Sequence, residues 1–161
     1  MTMKNHKQIT LDEFDKRLLR AVQRDGSLTH AQLAEVVHLS PSQCARRLER
    51  LRKDGYLAQT VTLLDRERLG LHVLAHVMVS VRSHDHSANE AFYAFVRDAP
   101  EVLECFAQTG DIDLLLRVAV GGLEELADFI DRLIESTGGV AALKSCIVLR
   151  AIKTTTQLMV R

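Results

Sequence analysis

Apolar positions recur every three or four residues from the start of the chain, at Leu11, Phe14, Leu18 and Val22. That spacing predicts an amphipathic helix, with Asp12 to cap its start and Gly26 to end it. Thr29 caps a short second helix carrying Ala31, Leu33, Ala34 and Val37, and a turn at His38-Leu39 leads into a third. There Ser40 is a natural N-cap and Pro41 takes the first helical position, where its missing N–H does no harm. Gln43 falls three residues after Ser40 and can close a capping box, and Gly55 supplies a left-handed stop. Cys44, Leu48 and Leu51 share one face and are expected to pack inward. Gln43, Arg46, Arg47 and Arg50 share the adjacent face, with Ser42 and Lys53 at its edge. Three short helices with a tight turn before a basic third one predict a helix-turn-helix, plain or winged.

After Gly55 the period changes. "YLAQTVTLL" (56–64) reads as a strand and "DRERLG" (65–70) as a capped turn that closes a linker. Strands then follow at 73–81, 101–109, 113–120 and 142–152, with amphipathic helices at 89–99 and 123–136. The order β-α-β-β-α-β is that of a ferredoxin-like plait, and the whole chain is α+β. The expected division is a helix-turn-helix domain at 9–63, a linker at 64–72 and a ferredoxin-like domain at 73–161. Within the plait Val73, Ala75, Val77, Val79 and Val81 point one way along the first strand, and Leu74, His76 and Met78 the other. In the last strand Leu143, Ile147 and Leu149 alternate with Cys146, Val148 and Ile152. Helices cover one face of such a sheet, so the second apolar face predicts an interface, most simply a second copy packed sheet to sheet.

Charge sharpens the division. Basic and acidic side chains both total 21, yet residues 1–70 hold 13 basic and 9 acidic, against 8 and 12 in residues 71–161. One half leans towards polyanions and the other away from them. Glu49 is the sole acidic residue between Pro41 and Lys53, so the arginines lack balancing partners along their own helix, and a DNA-facing role is expected. If they track phosphates, each one removed should flatten the log–log salt dependence of binding by about 1. Aromatics make up 4% of the chain, which leaves Leu, Val, Ile and Ala to fill its cores.

Candidate chemistry elsewhere is sparse. Cys44, Cys105 and Cys146 are odd in number and widely separated, which predicts reduced, packed thiols. His72, His76, His84 and His86 are the basis of an alternative function, a metal-sensing helix-turn-helix repressor. No nucleophile–base pairing, phosphate loop or zinc-hydrolase motif is present, so no enzyme is expected. No segment approaches the roughly 20 apolar residues that span a bilayer, and Met1 to Gln8 lack a signal peptide's apolar run; a cytoplasmic protein with no membrane partner is expected.

In order and spacing, "LDEFDKRLLRAVQRDGSLTHAQLAEVV", "LSPSQCARRLERLRKDGYL", "PEVLECFAQTGDIDLLLRV" and "VLRAIKTTT" resemble the Lrp/AsnC (feast/famine) transcription regulators, from about Leu11 to Lys153. The resemblance implies a sequence-specific regulator of double-stranded DNA, nucleoid-associated and without a cofactor, whose C-terminal unit senses an amino-acid effector. It further implies homodimers that assemble towards octamers. Ser42, Gln43, Arg46, Arg47 and Arg50 match recognition-helix positions, and Thr109, Gly110, Asp111 and Asp113 match the loop that borders the effector pocket. Gly110 would permit a tight turn there, and the two carboxylates could meet an α-ammonium group, although Gly and Asp are also what a plain hairpin turn uses. His38 stands where the family often has Gly, and Ile112 where it often has an aromatic residue.

Overall fold

The computed structural model describes residues 10–82, 89–137 and 139–161. Two compact units emerge, one made of residues up to Leu63 together with Lys153–Arg161, the other of Leu64–Ile152.

The first unit holds α1 (Glu13–Val22), α2 (His30–Val37) and α3 (Pro41–Lys53). Asp12, Thr29 and Ser40 each accept the N3 backbone N–H of their helix, and Asp15, Gln32 and Gln43 return a side chain to the cap backbone. Three capping boxes in so short a span fix where each helix begins. Leu18, Leu33, Val37, Cys44, Leu48 and Leu51 form the buried centre. Phe14, expected inside, is exposed, and Asp15 is buried in its place.

The tight turn is made by His38, which adopts the left-handed conformation at the end of α2 with φ 59°. A side chain in that region costs roughly 1–2 kcal/mol, which glycine avoids while losing about 0.5–1 kcal/mol to its freer unfolded chain. His38→Gly should therefore stabilise the unit by about 0.5–1 kcal/mol in urea unfolding. A loss of stability would show that the imidazole makes a compensating contact.

The expected strand at 56–64 does not form. After Gly55, at φ 81°, Tyr56 N–H donates to the Leu51 carbonyl and the backbone runs on without a ladder, leaving Val61, Leu63 and Leu64 exposed. A strand needs a neighbour to take its hydrogen bonds, and no described residue supplies one. The turn at 65–70 does form, closed by Asp65, whose carboxylate accepts the Glu67 and Arg68 N–H groups.

The second unit holds β1 (Val73–Val81), α4 (Glu90–Asp98), β2 (Val102–Ala107), β3 (Leu114–Val120), α5 (Leu123–Thr137) and β4 (Val140–Ile147). The sheet order is β2-β3-β1-β4 with antiparallel pairing throughout, as the ferredoxin-like reading requires. Ala75, Val77 and Val79 pack with Phe92, Leu116, Val118, Phe129 and Leu133 in one core. β4 stops at Ile147 instead of 152, because its partner β1 begins at Val73 and the last bond available is Val148 N–H to the Leu74 carbonyl. Leu149 and Ile152 are consequently exposed.

The C-terminal boundary also moves from 161 to 152. Gln23 forms a reciprocal pair with the Leu158 backbone, 2.9 Å in each direction, and Arg20 donates to the Val160 carbonyl. Val160 packs on the helical core, so the last nine residues belong to the first unit. Among the described residues no helix is long and apolar enough to cross a membrane.

Candidate functional site

The basic face of α3 divides into engaged and free side chains. Arg47 Nη1 donates to Asp12 Oδ2 at 2.6 Å and to Asp15 Oδ1 at 2.8 Å, and its guanidinium lies 5.6 Å from the Phe14 ring centre. Arg50 Nη2 donates to Asp15 Oδ2. The balancing partners that α3 lacks along its own length therefore arrive from α1, more than 30 positions away in sequence, where intrahelical spacing cannot reveal them. Asp15 is 1% exposed, a position a carboxylate occupies only when paired and hydrogen-bonded. Its remaining bond takes the Asp12 N–H. A signal was present in the sequence: Leu11, Asp15, Leu18 and Val22 form one stripe at helical spacing, so a carboxylate interrupts an apolar face.

Partial desolvation acts to raise the Asp12 carboxyl, yet the Asp15 N–H and the Arg47 guanidinium together hold it below its ordinary value. Asp12 foremost, then Asp15, raise the Arg47 guanidinium above its own. The Asp12 contribution to stability is thus complete above the ordinary carboxylate range and disappears as pH falls through the depressed value.

Arg46 is exposed and has no ion-pair partner among the described residues; Arg52 and Lys53 share that condition. Ser42 is exposed at the helix start, its hydroxyl 3.1 Å from that of Ser40. Gln43 is exposed too, but its Oε1 accepts the Ser40 N–H at 2.9 Å. A bidentate adenine contact, worth about 1–3 kcal/mol, would require opening that half of the capping box, at a cost of about 0.5–2 kcal/mol. Donation from Nε2 alone leaves the cap intact.

The loop between β2 and β3 brings Thr109, Gly110 and Asp111 together at the surface and turns Asp113 inward. Gly110 has φ 122°, a conformation that other residues rarely adopt. Asp113 Oδ2 accepts the Val81 N–H at 2.8 Å, its N–H donates to the Val79 carbonyl and its carbonyl accepts the Gln108 N–H. Asp113 thus anchors the loop to β1, while the Asp111 carboxylate faces solvent. A cavity of about 480 Å³ in the first unit is lined by Val22, Leu33, Arg52 and Thr60 among others.

His72 meets Glu67 at 3.1 Å, and His76 sits half-buried in β1 opposite Cys146, while His84 and His86 lie outside the described residues. Among the described residues no group of three His, Cys, Asp or Glu side chains is placed to hold a metal. All three cysteines are free; Cys44 is buried and Cys105 half-buried, but Cys146 is exposed on the uncovered sheet face.

Comparison with known proteins places both units. Residues 74–158 match the family model of the Lrp/AsnC ligand binding domain, and residues 11–58 match a winged helix-turn-helix DNA-binding model. The Escherichia coli K12 DNA-binding transcriptional activator DecR is 36% identical over 148 residues, covering 92% of this chain and 97% of its own. The glutamate uptake regulatory protein of Zymomonas mobilis is 36% identical over 115 residues, 71% of this chain and 70% of its own. Among solved structures, a transcriptional regulator from Neisseria meningitidis in complex with L-Met superposes with a TM-score of 0.88 at 41% identity, covering 93% of this chain and 97% of its own.

Proposed function

The chain belongs to the Lrp/AsnC family of DNA-binding transcription regulators, and on that premise we propose an amino-acid-responsive regulator whose α3 enters the major groove. The observation that carries the DNA reading is the start of α3: Ser42, Gln43 and Arg46 face solvent there on a helix whose cap fixes their positions. Ser42 and the free Nε2 of Gln43 are placed to read base edges, and Arg46 to take a phosphate. Arg47 and Arg50 tie α3 to α1 and so hold its angle. A dimer would offer two such helices to half-sites one helical turn apart, about 34–36 Å.

The effector is an α-amino acid held at Thr109, Gly110 and Asp111. The exposed Asp111 carboxylate suits an ammonium group, and Gly110 permits close approach of the ligand to the backbone. The Neisseria relative's complex with L-Met supports this class of ligand. The loop is open on a single chain, so a second copy completes the pocket. The uncovered sheet face, with Leu74 and Met78 half-buried and Phe106 53% exposed, is the surface through which copies assemble as dimers and then towards octamers. Binding at the loop would change the relative stability of these assemblies and hence the sets of DNA sites engaged. The protein acts in the cytoplasm at the nucleoid, with no cofactor and no catalytic step.

Thermal-shift screening against the twenty amino acids tests this reading. One or a few should raise the melting temperature by mass action, and light scattering should give at least a dimer. A flat screen together with an 18.0 kDa particle would contradict it.

A further inference from the structure

Among the described residues, two carboxylates of α1 and two guanidiniums of α3 form a closed set. Both oxygens of Asp12 and both of Asp15 are engaged, by Arg47, Arg50 and the N–H groups of the capping box. Two negative charges balance two positive ones, so α3 presents Arg46, Arg52 and Lys53 as its uncompensated cations. Arg47 is withdrawn furthest, with its side chain 21% exposed and its guanidinium near the Phe14 ring.

Resting on the DNA-binding function proposed above, we infer that Asp12 and Asp15 are specificity-determining residues that withhold Arg47 and Arg50 from the DNA backbone. Phosphate contacts raise affinity for every sequence alike, so each additional cation on the helix favours random DNA as much as the operator. Pairing two of five cations with carboxylates of the same domain restrains this sequence-blind term and still fixes the helix. Part of the selectivity of α3 thus lies on a helix that reads no bases.

Asp12→Asn is the decisive variant. Asparagine caps a helix as well as aspartate does, and Asp12 is half-exposed, so the fold is retained while one balancing charge disappears. One carboxylate then faces two guanidiniums, leaving one cation free per copy. Asp15→Asn removes the buried charge and is more disruptive; circular dichroism reports whether it folds. Arg47→Ala is the control, and the probe is a random-sequence DNA duplex titrated across salt concentrations.

Asp12→Asn should bind the random duplex more tightly at low salt, with a log–log slope steeper by about 1 per copy. Asp15→Asn, if folded, should do the same, and Arg47→Ala should keep the wild-type slope. An unchanged slope in Asp12→Asn, or a flatter one in Arg47→Ala, overturns the inference, since Arg47 would then already touch phosphate. Absence of salt-dependent binding by the wild type would overturn the DNA-binding function itself, and this inference with it.

Discussion

Phe129→Ala is expected to remove about 3–5 kcal/mol from the stability of the second unit. Phe129 is completely buried, and its ring centre lies 5.9 Å from that of Phe95. Leu116, Val118 and Leu133 around it are held by strand register and helix phase, so they cannot collapse into the space an alanine leaves. Domains of this size have about 5–15 kcal/mol in hand, so the loss approaches the whole of a modest total. In thermal unfolding it corresponds to a fall on the order of 20 °C. A loss below about 1 kcal/mol in urea unfolding would mean that Phe129 is not part of a close-packed core.

Asp111→Ala should abolish the response to the amino acid while leaving basal DNA binding intact. A charge-assisted hydrogen bond to an ammonium group contributes about 1.5–3 kcal/mol, so its loss weakens the ligand by roughly 10- to 100-fold. At a concentration of 100 Kd the wild type gains about 2.7 kcal/mol; a variant weakened 100-fold gains about 0.4 kcal/mol. Asp111 is exposed and its carboxylate makes none of the loop's anchoring bonds, which fall to Asp113, so the fold should not suffer. Loss of the ligand response and of DNA binding to the same degree would make the loop a structural turn.

Much of this architecture was legible in the sequence because local rules suffice for it. Caps at Asp12, Thr29 and Ser40, the stop at Gly55 and the alternation of β1 are decided within a few residues. What escaped depends on distant partners. Residues 56–64 have a strand's composition, but extended backbone becomes a strand only beside another. β4 ends where β1 ceases to pair with it, which no feature of 148–152 announces. Asp15 interrupts an apolar stripe, but its partners Arg47 and Arg50 come from α3, beyond the reach of local spacing. The candidate site was legible in part. Its nine positions on α3 and in the Gly-Asp loop were matched through the family resemblance; the basic face of α3 and the turn at Gly110 were also readable from the residues alone, whereas the inward turn of Asp113 needed the bond from Val81.

The direct test is a salt titration of wild type and Arg46→Ala on a random-sequence duplex and on one selected from a random pool by the wild-type protein. Wild type should lose affinity steeply with salt and prefer the selected duplex. Arg46→Ala should flatten the slope by about 1 per contact removed on both duplexes and leave the preference in place. Weak binding by both proteins, with the same shallow slope and no preference, would contradict a DNA-reading role for α3.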